Sequence, residues 1–272
     1  KAAQITMDEV LLESVALETE YEIDFYSNAE ATLTRHQRLG KLWRWNHKLR
    51  YKFNQCPDIH IANDEGGYPK TITLDYGEGT ELQSGKVLSG VIVIEITAPR
   101  KSPEYQREVS YNNFGVNNLL MNGTSVITVD REEETFRTFT SDLEITFEDG
   151  SVMTRTSERM WQWIEGLETE LDQTDDVMQI TGSATAVTPE GDAYKKEIVE
   201  PLIRIRDCRF IVQGIVEITL NNEPVSTLDY GDGTCDDVAT LKGNGETAEI
   251  NLGELRMNGK DYRRGNRHGH GK

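Results

Sequence analysis

Apolar residues recur along this chain with two different periods, and the change from one to the other divides it. Met7, Val10, Leu17, Tyr21 and Phe25 follow helical spacing. Just ahead of them Thr6-Met7-Asp8-Glu9 has the form of a capping box, so a helix is predicted to start there. Leu39, Leu42, Trp43, Trp45 and Leu49 continue a helix-like pattern into a second segment. Beyond Cys56-Pro57 the period becomes two, broken by turn residues. Ile59 and Ile61, the turn Asp64-Glu65-Gly66-Gly67 and the run Lys70–Asp75 read as a hairpin. Gly90–Thr97 is the most apolar run and reads as a strand covered on both faces for part of its length. Leu143–Phe147 with Val152–Thr156, and Val177–Val187 with Tyr194–Arg206, flank further Gly-containing turns.

A repeat organises the β region. Leu74-Asp75-Tyr76-Gly77-Glu78-Gly79-Thr80 returns as Leu228-Asp229-Tyr230-Gly231-Asp232-Gly233-Thr234. Continued without a gap, the same offset lays Glu95-Ile96 on Glu249-Ile250. These patterns predict a mainly β fold: two duplicated β-sandwich-like units of antiparallel hairpins, preceded by an N-terminal α-helical segment. The expected divisions are a helical segment at 1–55, β units at 56–165 and 166–257, and a flexible basic tail at 258–272.

Charge adds a second layer. Asp8 to Glu30 holds eight carboxylates and no basic residue, whereas Arg35 to Lys52 holds seven Lys or Arg and no acid. The simplest expectation is two helices that neutralise each other. The alternative is a basic surface, carrying Trp43 and Trp45, for an anionic partner such as lipid headgroups. Over the whole chain 29 basic and 47 acidic residues give a formal charge of −18, which opposes nucleic acid and anionic membranes and favours neutral, cationic or protein partners. No apolar run approaches the length of a membrane-spanning helix. The chain shows no signal peptide, so it is expected to be cytosolic or a processed product.

Candidate chemistry is sparse. Asp75 and Glu78 in one copy of the repeat, and Asp229, Asp232, Asp236 and Asp237 in the other, are the hard oxygen ligands that Ca²⁺ prefers, but their spacing is not that of an EF-hand. The competing reading is structural: the glycines make the turn and the Asp side chains cap the loop's own amides. His36, His47, His60, His268 and His270 stand beside no nucleophile motif, and no catalytic residue or cofactor is expected. Trp161 and Trp163 would share one face of a strand, where they either stack sugar rings or pack into a core. Asn122-Gly123-Thr124 is a glycosylation sequon or, by preference, a hairpin turn. Of the three cysteines, Cys208 opens one strand-like run and Cys235 closes the next across an Asn221–Pro224 turn, giving either a disulfide or two buried thiols.

The run Tyr68–Thr80, then Gly85-Lys86 and Gly90–Thr97, together with Cys208, Ile211–Ile218 and Leu228–Cys235, resembles a family of secreted Bacteroidota lipoproteins of unknown function. The likeness covers about 56–252. It implies export, a lipidated N-terminal cysteine outside this chain, an outer-membrane or cell-surface location, and a Cys208–Cys235 bridge in a compartment that permits one. Where the family carries another cysteine after the first motif, this chain has Glu81, leaving Cys56 without a partner. The expectation is a non-enzymatic binding or accessory subunit of an outer-membrane protein complex. The alternative is a surface glycan-binding or glycan-processing protein that uses Trp161 and Trp163.

Overall fold

The computed structural model of the chain describes residues 2–40, 57–62, 67–82, 85–100, 102–129, 136–166, 175–243 and 245–257. Trp43, Trp45, Cys56, most of the basic stretch and the basic tail lie outside them. The helical segment gives α1 (Ala2–Asn28) and α2 (Glu30–Arg38), and a short α3 (Leu252–Met257) follows the last strand. The alternating region forms β1 (Asp58–Ala62), β2 (Lys70–Asp75), β3 (Thr80–Glu81), β4 (Val87–Ile96), β5 (Gln106–Val116), β6 (Leu119–Val129) and β7 (Phe136–Thr146). It continues with β8 (Val152–Glu165), β9 (Val177–Val187), β10 (Ala193–Ile205), β11 (Ile211–Leu220), β12 (Glu223–Asp232), β13 (Val238–Gly243) and β14 (Glu246–Asn251).

The fold is mainly β and antiparallel, with a helical N-terminus, as the periods predict. In place of two sandwich-like units, however, there is one continuous sheet in chain order from β1 to β14, with β3 pairing β4 beside it. Hydrogen bonding crosses the expected boundary at 165/166 without a break, because β8 pairs β9 from Thr154↔Val187 to Glu165↔Val177. A sandwich needs a second sheet to cover the apolar face of the first. Here α1 covers it. Ile5, Val10, Leu12, Val15, Ile23 and Tyr26 are buried, and so are Thr6, Glu9, Glu13, Glu18, Thr19 and Glu20. Neighbouring helix positions point about 100° apart, so a helix buried at 9–10, 12–13 and 18–20 is covered on every side. Its side-chain partners come from strands as far apart as β5 and β12, and the sheet therefore curls around it. Two strand glycines permit the curl. Gly182 and Gly214 have φ of +126° and +113°, and a Cβ at either would lie 2.3 or 2.4 Å from the carbonyl oxygen of Glu158 or Pro201 on the adjoining strand.

Three local expectations change. α1 already runs from Ala2, so Thr6 is an interior residue whose hydroxyl meets Ser226 at 2.6 Å, not a cap. Asn122-Gly123 lies inside β6, opposite Glu144 and Leu143, not at a turn. The gapless extension of the repeat also fails in three dimensions: Leu74 faces Ile92, whereas Leu228 faces Leu241, and Glu249-Ile250 belong to the following strand β14. The loop after the second motif is shorter, so only the motif and its flanking pairs are shared. The turns at Phe147–Ser151, Thr188–Asp192 and Asn221–Asn222 stand where the pattern placed them.

Candidate functional site

Both copies of the repeated motif are structural in geometry. Leu74, Tyr76, Leu228 and Tyr230 are buried. The Asp75 carboxylate accepts the Gly77 N–H at 2.8 Å, and Asp229 accepts that of Gly231 at 3.0 Å. Asp232 accepts the backbone N–H and hydroxyl of Thr234, and Asp236 accepts the N–H of Val238. Glu78 is exposed, and the backbone carbonyl of Asp237 accepts the N–H of Leu252. The two acidic sets are carried on strands at opposite ends of the sheet order, and among the described residues no group of three His, Cys, Asp or Glu side chains converges. Cys208 and Cys235 form a disulfide that ties the start of β11 to the end of the second motif.

The acidic helix is neutralised by strands. Glu9 accepts both Arg155 nitrogens, at 3.0 and 3.1 Å, and the Tyr194 hydroxyl at 2.6 Å. Glu13 accepts Arg159 at 2.7 and 2.8 Å and Lys196 at 2.5 Å. Glu18 meets Lys86 at 2.5 Å, and Glu30 on α2 meets Lys70. Burial alone would raise the Glu9 carboxyl, but Arg155 and Lys196 overturn that and hold it at about 2. Glu13 behaves in the same way between Arg159 and Lys196. Glu22 is different. It pairs with no cation among the described residues, burial pushes it up to about 7, and Glu18 adds to the push although the Tyr76 hydroxyl donates to it at 3.3 Å. The expected helix-to-helix neutralisation is therefore replaced, for the described part, by inward-facing cations of β2, β5, β8 and β10. Strand β8 carries only a partial signal for them: Met153, Arg155, Ser157, Arg159 and Trp161 share its buried face, bracketed by two apolar residues, while Thr154, Thr156, Glu158 and Met160 are exposed.

The two tryptophans of β8 part company. Trp161 is in the core, stacked on Phe139 with 5.5 Å between ring centroids and 8° between planes. It lines a cavity of about 50 Å³ between α1 and the sheet, shared with Ala16, Ser141 and Ser157, and its indole nitrogen has no acceptor among the described residues. Trp163 reaches the end of the sheet. There the guanidinium of Arg137 lies over its ring, 4.4 Å from the centroid, and its N–H donates to Asp176. The two indoles therefore do not make a common sugar platform.

This end of the sheet, where α1 also ends, gathers arginines. Arg107 bridges Glu20 at 2.5 Å and Asp24 at 2.7 Å, Arg206 reaches Asp24 at 3.4 Å, and Arg100 donates to Asn28. Arg204 is buried within electrostatic range of Glu20. Burial works against the charge on Asp24, but Arg107, Arg206 and Arg100 hold its carboxyl well below the usual range. Glu20, also buried, is pushed up by that burial and by the Asp24 charge, although it shares Arg107. Arg137 makes no ion pair with any described residue. Burial, then the neighbouring Arg100, pulls it down to about 10. Its Nε is buried without a partner. None of these arginines was singled out from the sequence.

No protein-family model matches the chain, and no curated protein or solved structure is significantly similar to it.

Proposed function

We propose that this chain is a non-enzymatic, extracytoplasmic binding module, the accessory part of an envelope complex held at the membrane by a lipidated cysteine upstream of it. The observation that carries the reading is the contrast in charge use. Glu9 and Glu13 on the first half of α1 are held in direct ion pairs inside the sheet, while Arg137 at the rim makes none with a described residue and feels Asp24 only at longer range. Inside, Glu9 and Glu13 are locked as anions by cations they cannot leave, which suits a scaffold better than proton transfer. The Cys208–Cys235 bridge fits an oxidising compartment. Because α1 is enclosed, docking falls to the rim instead of the acidic helix. Native co-purification with mass spectrometry tests this: a stable partner, lost on changing Arg137 and Trp163, is expected. A chain that runs alone from native membranes would refute it.

A second reading, surface glycan binding, is favoured by a different place from the tryptophan pair. An open groove of about 680 Å³ crosses β8 to β11 and is lined by Thr154, Thr156, Thr185, Lys195, Thr219 and Asn221. Its volume suits a small ligand, and hydroxyls and an amide suit a sugar. A glycan array on which Thr156→Val and Thr185→Val change nothing would remove this reading.

A further inference from the structure

We propose that the corner formed by Arg137 and Trp163 binds a small carboxylate, a single anionic group on an otherwise neutral polar body such as an acidic sugar; the proposal deepens the binding-module reading and rests on it. The corner is built, not incidental. Trp163 is fixed by its N–H to Asp176, and Gly166 is packed so closely against Asp176 that a Cβ there would lie 2.6 Å from its carboxylate oxygen. The Arg137 guanidinium carbon lies over the indole, 4.4 Å from its centroid, and a guanidinium presents the planar donor fork that grips a carboxylate with two parallel hydrogen bonds. Arg107 is engaged by Glu20 and Asp24, and Arg206 faces Asp24, so neither competes for the role. Arg100 stands near enough to disfavour the charge on Arg137, and an anion would relieve both.

The size of the ligand follows from range. Charges are screened over about 8 Å at physiological ionic strength. A small monoanion at this corner responds to the arginines beside it, whereas an extended polyanion meets the field of a chain carrying −18. A small carboxylate therefore fits better than nucleic acid, an anionic membrane or a strongly acidic protein.

The test follows the indole N–H resonances of the ¹⁵N-labelled full chain as D-glucuronate is added, with D-glucose and equal ionic strength of sodium chloride as controls. A Trp163→Phe variant assigns the Trp163 signal. The expected result is a saturable shift of that signal with glucuronate and none with glucose. Affinity should fall at least tenfold in Arg137→Gln and by less in Arg137→Lys, which keeps the charge but loses the fork. The same spectra report whether each variant is folded. A shift that never saturates, one equal in Arg137→Gln, or tighter binding of inorganic phosphate or of an acidic protein overturns the assignment. If glucuronate fails but a partner still co-purifies, the site falls and the module reading stands; if glucuronate binds and no partner is found, the reverse holds.

Discussion

The two halves of α1 carry similar carboxylates but meet opposite surroundings. In the first half Glu9 and Glu13 face Arg155, Arg159 and Lys196, all buried and joined by direct hydrogen bonds. In the second half Glu20 and Asp24 share Arg107 while Arg100, Arg137, Arg204 and Arg206 crowd the same end. The first arrangement is closed, since each ion has its partner and removing one strands the other. The second holds a cation, Arg137, that makes no direct ion pair with a described residue and has only the more distant Asp24 to offset it. A buried pair holds a structure together most visibly when it is broken, and an unpaired guanidinium is better placed to meet a ligand than to hold a fold.

The sharpest break is Glu13→Ala, which leaves Arg159 buried without its anion and Lys196 with only the longer contact to Glu9 at 3.5 Å. A loss of about 3–5 kcal/mol is expected by chemical denaturation. A loss under 1 kcal/mol would show that the first half is not the closed network described. Next comes the uncompensated Glu22. Its folded pKa of about 7 lies above the ordinary value of 4.5, so the native state binds the extra proton and stability falls as pH rises from about 4.5 to 7. Glu22→Gln removes that dependence and should gain about 3 kcal/mol at pH 8 while changing little at pH 4. Glu9 has the opposite sign: its contribution is present above 4.5 and is lost as pH falls toward 2. A denaturation series across pH in wild type and Glu22→Gln separates the two, and identical curves would contradict the assignment to Glu22. A smaller effect is expected from Asp24→Asn, because Arg107 keeps Glu20; a loss of about 1–2 kcal/mol should come with tighter glucuronate binding at the rim. Weaker glucuronate binding would mean that Asp24 assists the ligand instead of competing with it.

Much of this architecture is legible from residue order, and what is not has a physical cause. Alternation and Gly-bearing turns placed the hairpins because each strand pairs with its chain neighbour. The turn at Asn221–Asn222 brought Cys208 and Cys235 together by the same logic. Helical spacing found α1, and the acidic run marked it as needing cations, but the cations came from the wrong place. Adjacent basic residues at 35–52 suggested themselves, whereas the partners of the described part are single Arg and Lys residues on strands, Lys196 lying 183 positions from Glu13. They are hidden because on β8 both faces are polar: Arg155, Ser157 and Arg159 inside, Thr154, Thr156 and Glu158 outside. Hydrophobic alternation cannot say which polar face is buried. The sandwich expectation failed for the same reason, since a helix so acidic does not look like the cover of a sheet. Arg137 and Trp163 escaped pairing because Arg137 lies on β7, beside Trp161 in register, and only the structure brings its guanidinium over Trp163.

The central claim is that arginine holds the fold in the first half of the interior, while in the second Arg137 makes no direct ion pair with a described residue. Paired urea denaturation of Arg159→Gln and Arg137→Gln at pH 7 tests it most directly. Arg159→Gln should cost about 3 kcal/mol or more, as a buried carboxylate loses its fork. Arg137→Gln should change stability by less than about 1 kcal/mol, the loss of its contact with Trp163 being offset by relief of a half-buried charge that has no direct ion pair among the described residues. Equal losses in the two variants would contradict the account, for they would make Arg137 one more strut of the fold and not the free end of it.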